Sequence, residues 1–481
     1  MKYRTLVHTL GNILIIESLV FLIPLLFALG FREMDCAAAF SITMVISFVS
    51  GVAFTRVKRE KRNIDSKDGF IIVSMSWVVI SLIGALPFVI SGDIPNYIDA
   101  VFETLSGFTT TGSTILKNVE VLNRSMLFWR SFTHWLGGMG ILLFMMAFMS
   151  MKDESTIHLL RAESPGPVVS KIVPRMKDTA LVLYSIYCVL TVVEFLLLLA
   201  GGMPFFDSII HALGTAGTGG YSIKNGSIGA YGSDYITWII TIFMFLFALN
   251  FNVYFLMIMK RAKEVFRIAE IKYYFAIVIF SVTGITLNIL PRYETFFDAL
   301  TDAAFSVATM MSTTGYATAD FNLWPGFSKM ILVALMFIGG CAGSTAGGIK
   351  VSRIALLMSS AKCDLKRLSN PRSVRVIKVD GKIVNLSVIH DCFSYLFFYV
   401  VLMVLSIVIV SLDNFDFETT STAVIAAVSN VGPGLGGVGP TGNFADFSVI
   451  SKIVLCIDML AGRLEIMPVA MFLLPGTWKR Y

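Results

Sequence analysis

The sequence predicts an all-α polytopic membrane protein: an N-terminal two-helix hairpin, then four parallel helix–pore loop–helix repeats around a central pore. Three observations predict it. The 481 residues are 56% hydrophobic and 15% charged, against about 25% charged for soluble domains. Ten stretches are apolar over about 20 residues, the length needed to cross a bilayer. After the second of them, one pattern recurs four times: an apolar span, a short amphipathic segment, a glycine-containing tip and a second apolar span.

The ten stretches lie near residues 8–30, 36–55, 70–91, 125–150, 180–202, 235–259, 272–290, 327–357, 384–411 and 447–475. The first is too long for a signal peptide and no small-residue cleavage site follows it, so it reads as an uncleaved span. Charge orients the spans. Of the 38 lysines and arginines, 29 fall in segments 1–8, 56–67, 152–177, 260–272, 350–382 and 479–480. Basic loops stay on the cytoplasmic side, so both termini and these loops are expected there. The net charge of +6 is therefore topological and no footprint for nucleic acid. The six cysteines are scattered without a CxxC pair, and the five histidines are dispersed. With no nucleophile–base pair, metal-ligand spacing or HExxH, the chain does not read as an enzyme and no cofactor is expected in it.

The pattern divides the chain into a hairpin at 1–66 and repeats at 67–178, 179–268, 269–382 and 383–481. Two spans per repeat make successive repeats enter the membrane in the same direction, around an axis along the membrane normal. An inverted-repeat transporter needs an odd number. The tips align on Gly112, Gly220, Gly315 and Gly432, and Asp99, Asp207, Asp302 and Thr419 each lie 13 positions earlier. Asp and Thr are good N-caps, so these residues are expected to start four short helices. About ten residues of helix span roughly 15 Å, too little to cross. They fit pore helices that enter from outside and end near the midplane, where irregular backbone survives only if buried or facing water.

A dehydrated monovalent cation needs several oxygen ligands, and four strands of backbone carbonyls can supply them. Glycine permits the dihedrals that turn carbonyls inward, and threonine hydroxyls beside it can add ligands. The candidate filter residues are Thr110, Thr111 and Gly112; Thr218, Gly219 and Gly220; Thr313, Thr314 and Gly315; and Asn430, Val431 and Gly432. Repeat 4 departs furthest from the other three, with Asn430 and Pro433.

The span at 327–357 holds Gly339, Gly340, Gly343, Gly347 and Gly348, with Ser344 and Thr345 among them and Lys350 just after. Each glycine costs about 1 kcal/mol inside a helix, so the helix should break here. Gly343 and Gly348 have phosphate-loop spacing, but Ile349 intervenes before Lys350 and the context is membrane, so no nucleotide site is expected. The broken stretch reads as a flexible plug beneath the filter, or alternatively as close helix packing through small residues. Arg463 lies early in the last span, near Asp458 and Glu465. A charge at that depth is costly and marks function by default, with a structural ion pair to either acid as the other reading. Outer acids such as Asp93, Asp99, Glu103, Asp320, Asp413, Asp416 and Glu418 could concentrate cations, though many suit caps or solvated loops.

These tips (TTTGST at 109–114, GGYS at 219–222, STTGYAT at 312–318, SNVGPGLG at 429–436) resemble those of the Trk/Ktr/HKT potassium transporters. The N-terminal hairpin, GGCAGSTAGGIKVSR at 339–353 and AGRLEIMPV at 461–469 resemble the bacterial TrkH/TrkG type, and the resemblance covers essentially the whole chain. It implies potassium uptake across the bacterial inner membrane, with potassium as the carried ion, through a pore usually found as a homodimer. It implies regulation by a cytoplasmic nucleotide-binding (NAD or ATP) subunit of TrkA type; the basic segment 350–382, continuous with the glycine-broken span, is a candidate docking surface for such a subunit. It carries a gating role onto residues 339–350 and places Arg463 near the ion path. In the family a glycine in every repeat goes with potassium selectivity, and serine in repeat 1 with sodium permeability. A sodium-coupled Ktr-type symporter subunit is the nearest alternative, and a transporter of another cation or solute a more distant one.

Overall fold

The computed structural model describes residues 3–58, 66–140, 176–370 and 376–473. Among them six helices are long and apolar enough to cross a membrane, or seven if a bent pair counts as one span. The difference from ten lies in the second spans: those of repeats 2, 3 and 4 are interrupted, and that of repeat 1 runs into residues outside the described set. In repeat 1 the helix Arg124–Gly138 ends just before residues outside the described set. In repeat 2, Asp234–Phe247 and Phe251–Ile258 meet at a 90° bend. In repeat 3, Gly326–Ile338 and Val351–Ser369 flank a non-helical segment. In repeat 4, Val449–Leu464 and Ile466–Leu473 are parted at Glu465, whose φ is +66°. The break in repeat 3 carries five glycines, and Gly137, Gly138 and Gly140 stand where the repeat 1 helix ends. The break in repeat 2 rests on Asn250, whose Oδ1 accepts the Asn252 amide at 3.0 Å and starts a new helix in a new direction.

The first spans are Ser66–Gly84 with Leu86–Ser91, Met176–Ala200, Ala269–Ile289 and Leu386–Val410. Tyr3–Phe31 and Met34–Thr55 form the N-terminal hairpin. Its helices cross where Gly11 faces Gly51: a Cβ on either glycine would lie within 2.9 Å of the other's carbonyl oxygen. Small residues at such crossings let helix backbones approach, which is how apolar helices gain packing in lipid. At the hairpin's turn, the Glu33 carboxylate accepts from the Arg124 and Ser125 amides at 2.8 and 2.9 Å. It satisfies two orphan donors and sets a negative charge at the positive end of that helix.

The pore helices are Tyr97–Phe108, Phe205–Gly217, Phe296–Met311 and Phe417–Ser429, of 12, 13, 16 and 13 residues. At 1.5 Å per residue they span roughly 18 to 24 Å, longer than expected but short of a bilayer. Asp99, Asp207, Asp302 and Thr419 are not their caps. Asn96, Thr295 and Asp416 cap three helices through side-chain oxygens, and Pro204 precedes the fourth. The hydroxyl and then the amide of Thr419 hold the exposed Asp416 carboxyl below the usual carboxylate range. The residues 13 before the glycines sit inside the helices and tether them outward. Asp99 pairs with Lys452 at 2.6 Å, Asp207 accepts from Tyr231 at 2.8 Å and Asp302 accepts from Tyr293 at 2.8 Å. At the end of repeat 3, Lys378–Val379 and Lys382–Ile383 form a two-residue antiparallel ladder.

Overpacking a tight helix crossing costs typically 1–3 kcal/mol. Gly51→Val should therefore lower the melting temperature of the detergent-solubilised protein, read by size exclusion after heating. An unchanged melting temperature would show that the crossing is loose.

Candidate ion-conduction site

Each pore helix ends in the same turn. Thr110, Thr218, Thr313 and Asn430, two positions before the four glycines, are left-handed, with φ between +54° and +57°. The next amide in each reaches back five residues: Thr111 to Ser106, Gly219 to Gly214 and Thr314 to Thr309 at 2.9 Å, and Val431 to Ala426 at 3.0 Å. This is a Schellman-type end, and it satisfies helix carbonyls while turning the chain back outward. The glycines that follow have φ of +82°, +77°, +90° and +98°. Four different sequences thus make one backbone shape.

The four strands close into a ring. A Cβ built on Gly112 would strike the Gly219 carbonyl, one on Gly220 the Thr314 carbonyl, and one on Gly315 the Val431 carbonyl. On Gly432 it would lie 2.7 Å from the Thr111 carbonyl. Repeats 1, 2, 3 and 4 therefore follow one another and return to 1. All four glycines line a single open vestibule, with Arg130 and Tyr221 in its wall. Glycine is needed here twice over, by its positive φ and by the neighbour's oxygen.

Four of the five threonine hydroxyls expected as ligands are bonded within the protein. Thr111 Oγ1 is 2.8 Å from Thr109 Oγ1 and accepts from Asn430 Nδ2 at 2.8 Å, and Thr314 Oγ1 is 2.6 Å from Ser312 Oγ. Thr218 Oγ1 donates to Gly217 O at 2.6 Å, and Thr313 Oγ1 accepts from the Gly347 amide at 2.6 Å. These hydroxyls hold turns and neighbours together. Asn430 is the odd member with a structural reason. Its amide joins Thr111 of repeat 1 to the Met459 carbonyl at 2.9 Å.

Each returning strand is tied to its own pore helix, by different chemistry in each repeat. Glu103 accepts from the Thr114 hydroxyl and the Ile115 amide at 3.0 Å, and pairs with buried Arg130 at 2.7 Å. His211 Nε2 is 3.1 Å from Ser222 Oγ, Asp302 accepts from Thr318 at 2.7 Å, and Thr422 Oγ1 accepts the Leu435 amide at 2.8 Å. Several of the acids named above pair or cap: Glu418 pairs with Lys329 at 2.9 Å, and Asp413 accepts the Ser448 amide at 2.9 Å.

The glycine-broken segment lies directly beneath this ring. Its base is closed where the Ile349 and Lys350 amides bond the Phe337 and Ile338 carbonyls, both at 3.0 Å. Gly339 and Gly348 pack where neither tolerates a Cβ, and Gly340 is crowded by Ala346 and Ser344. The Gly347 amide bonds Thr313, and a Cβ there would strike the Ser429 carbonyl, so the loop abuts repeats 3 and 4. Its other side enters the bend of repeat 2. The Cys341 amide bonds the Ala248 carbonyl at 2.9 Å, the Phe251 amide bonds the Gly343 carbonyl at 3.0 Å, and Thr345 Oγ1 donates to Phe247 O at 3.1 Å. Ser344 Oγ donates to Cys341 O at 2.6 Å, and buried Lys350 donates to Ala346 O inside the loop. Arg463 donates to Thr345 O at 2.8 Å, to Gly138 O at 2.6 Å and to Gly137 O. It clasps the loop to the negative end of a repeat 1 helix. Of the two acids near it in sequence, Glu465 pairs with Arg353 at 2.5 Å and Asp458 accepts from Ser406 at 2.8 Å.

Three contributors carry no mark in the sequence. Glu270 accepts the Ala342 amide at 2.6 Å, Asn250 starts the helix that receives the loop, and Asp380 of the two-residue hairpin accepts the Ala269 amide at 2.6 Å. Asp380 thereby caps the helix whose second residue is Glu270. Only the topology brings these positions together.

Four pore helices around one ring of glycine strands, with a loop across the inner side, define an integral membrane protein of ion transport, not an enzyme. The chain belongs to the TrkH family of cation transport proteins, which it matches over residues 36–476. It is 34% identical to the Trk system potassium uptake protein TrkH of Escherichia coli strain K12, over the full length of both. It is 32% identical to TrkG of the same strain over 99% of each chain. The crystal structure of the potassium transporter TrkH from Vibrio parahaemolyticus superimposes with a TM-score of 0.89 at 32% identity, covering all of both chains.

The ring makes a sharp prediction. Gly315→Ala adds a Cβ where φ is +90° and the Val431 carbonyl already sits. Ion uptake should fall by at least about tenfold while the protein still reaches the membrane, since strain of about 1–3 kcal/mol falls on the strand itself. Uptake equal to the unmutated protein would show that this strand lies off the path.

Proposed function

We propose that this chain mediates potassium uptake across the bacterial inner membrane, through a filter made by the strands at Gly112, Gly220, Gly315 and Gly432. The observation that carries this reading is the closed ring of four strands in one vestibule, with a single loop beneath it. Potassium as the ion follows from the relatives' names and from the glycine present in all four strands. Both termini face the cytoplasm, in keeping with the placement of basic residues.

The loop at 339–350 acts as the gate, Arg463 as its clasp and Glu270 as its anchor. A cytoplasmic nucleotide-binding subunit of TrkA type, docking near the basic segment 350–382 of a homodimer, would work this gate. The Asp380 hairpin offers it a lever: it caps the helix that begins at Ala269 and carries Glu270. Sodium coupling of the Ktr type is the alternative reading.

Purified protein in liposomes, with potassium, rubidium or sodium gradients set separately, tests the reading. Potassium and rubidium should pass and sodium should not; equal sodium flux would sink the selectivity, and flux that needs a sodium gradient would favour the symporter. Each charge-assisted hydrogen bond is worth about 1.5–3 kcal/mol. Arg463→Ala should therefore raise potassium flux by roughly tenfold or more at the gate. Glu270→Ala should act in the same direction. Unchanged or reduced flux at normal expression would count against the clasp.

A further inference from the structure

Repeat 2 is the only one with glycine immediately before its filter glycine; the others carry Thr111, Thr314 and Val431 there. Its backbone does not require it. Gly219 is absent from the positions of positive φ, which include Gly220 and, one residue earlier, Thr218. An L side chain would therefore suit the conformation of Gly219. What excludes a side chain is His134. A Cβ on Gly219 would strike the imidazole at Nδ1 and Cγ, with Cε1 2.5 Å away.

His134 is fully buried, on the second helix of repeat 1. Its Nδ1 donates to the Gly107 carbonyl at 2.9 Å, in the turn that ends repeat 1's pore helix. Its ring faces Tyr221, just past the filter glycine of repeat 2, with centroids 4.2 Å apart. Tyr221 in turn donates to Glu103 O at 2.8 Å and Ser113 O at 3.1 Å, both in repeat 1. The imidazole is thus a wedge between the end of one pore helix and the strand of the next repeat. Thr111 and Thr314 use a side-chain hydroxyl to brace their strands. Gly219 has none, and the imidazole fills its place.

We propose that His134 is a positioning residue for ion selectivity, setting the strand of repeat 2 in the ring in place of the side chain that Gly219 lacks. This rests on the reading of the four strands as a potassium filter. His134 and Gly219 form an obligate pair: the ring needs the glycine, and the glycine strand needs the ring.

The test is rubidium and sodium flux into liposomes from four variants, each first shown to be monodisperse on size exclusion. Gly219→Thr alone should lose transport, because no space exists for its side chain. His134→Ala with Gly219→Thr should recover transport and selectivity, the threonine entering the vacated space. His134→Asn keeps a donor for Gly107 without the ring, and should pass ions with at least about tenfold weaker preference for rubidium over sodium, a clear loss on a scale where tenfold is 1.4 kcal/mol. Gly315→Ser reports on the filter itself and should lower the same preference. Normal transport by Gly219→Thr, or a double variant no better than it, overturns the pairing. Full selectivity in His134→Asn overturns the role of the ring, while a shift in Gly315→Ser shows that the filter reading survives. If Gly315→Ser leaves the preference unchanged, the filter reading fails, and this inference with it.

Discussion

The structure depends on four absent side chains. At Gly112, Gly220, Gly315 and Gly432, a carbonyl of the adjoining repeat occupies the volume a Cβ would take. Backbone against backbone is the closest approach two strands can make without hydrogen-bonded pairing. It fixes the radius of the ring more tightly than side-chain packing would, because peptide groups have no rotamers. The pore helices end in one common turn because that turn delivers the chain to this contact. The outward tethers at Asp99, Asp207 and Asp302 then hold the far ends of the helices. Ring, turn and tether are thus one constraint expressed at three heights.

Beneath the ring the problem is unsatisfied backbone. Helix ends and coil at membrane depth leave amides and carbonyls that lipid cannot satisfy. The breaks answer each other. The bend of repeat 2 supplies the Ala248 and Phe247 carbonyls and takes back the Gly343 carbonyl, and the loop of repeat 3 supplies the matching groups. Glu270 covers the Ala342 amide, and Arg463 covers carbonyls of the loop and of repeat 1 together. A helix interrupted alone would be costly; interrupted beside a complementary break, it forms a small irregular core. This polar core can rearrange only in concert, which suits an element with two positions.

The sequence displayed the architecture well, for physical reasons. Span length, alternating basic loops and the fourfold glycine are patterns that the bilayer itself imposes. The break in the second span of repeat 3 was visible because five glycines cluster in a single apolar stretch. The helix starts were misplaced. Asp99, Asp207 and Asp302 have cap-type side chains in register, yet they tether helices that begin two or six residues earlier. Residue type alone cannot separate a cap from an anchor one turn inside. The bend at Asn250 was hidden because Phe251–Ile258 continues the apolar run, and hydropathy carries no direction. Glu270, His134 and Asp380 act across repeats, through contacts between positions far apart in the chain, and no local pattern reports those. The threonine hydroxyls were expected among the ligands, and the bonds they make to Asn430, Ser312 and the Gly347 amide become visible only when neighbouring repeats are assembled.

Four subunits of one kind could build a ring of strands equally well. They could not build what lies below it. Among the described residues, the space under the ring holds one loop from repeat 3, received by a bend in repeat 2 and clasped by an arginine from repeat 4 against repeat 1. Four copies of that loop would compete for a single volume, and none would find three dissimilar neighbours. Four quadrants in one polypeptide can each differ, so that one supplies the loop and the other three supply unlike surfaces that receive it. Broken symmetry is thus what allows a fourfold ring to sit above a single asymmetric core.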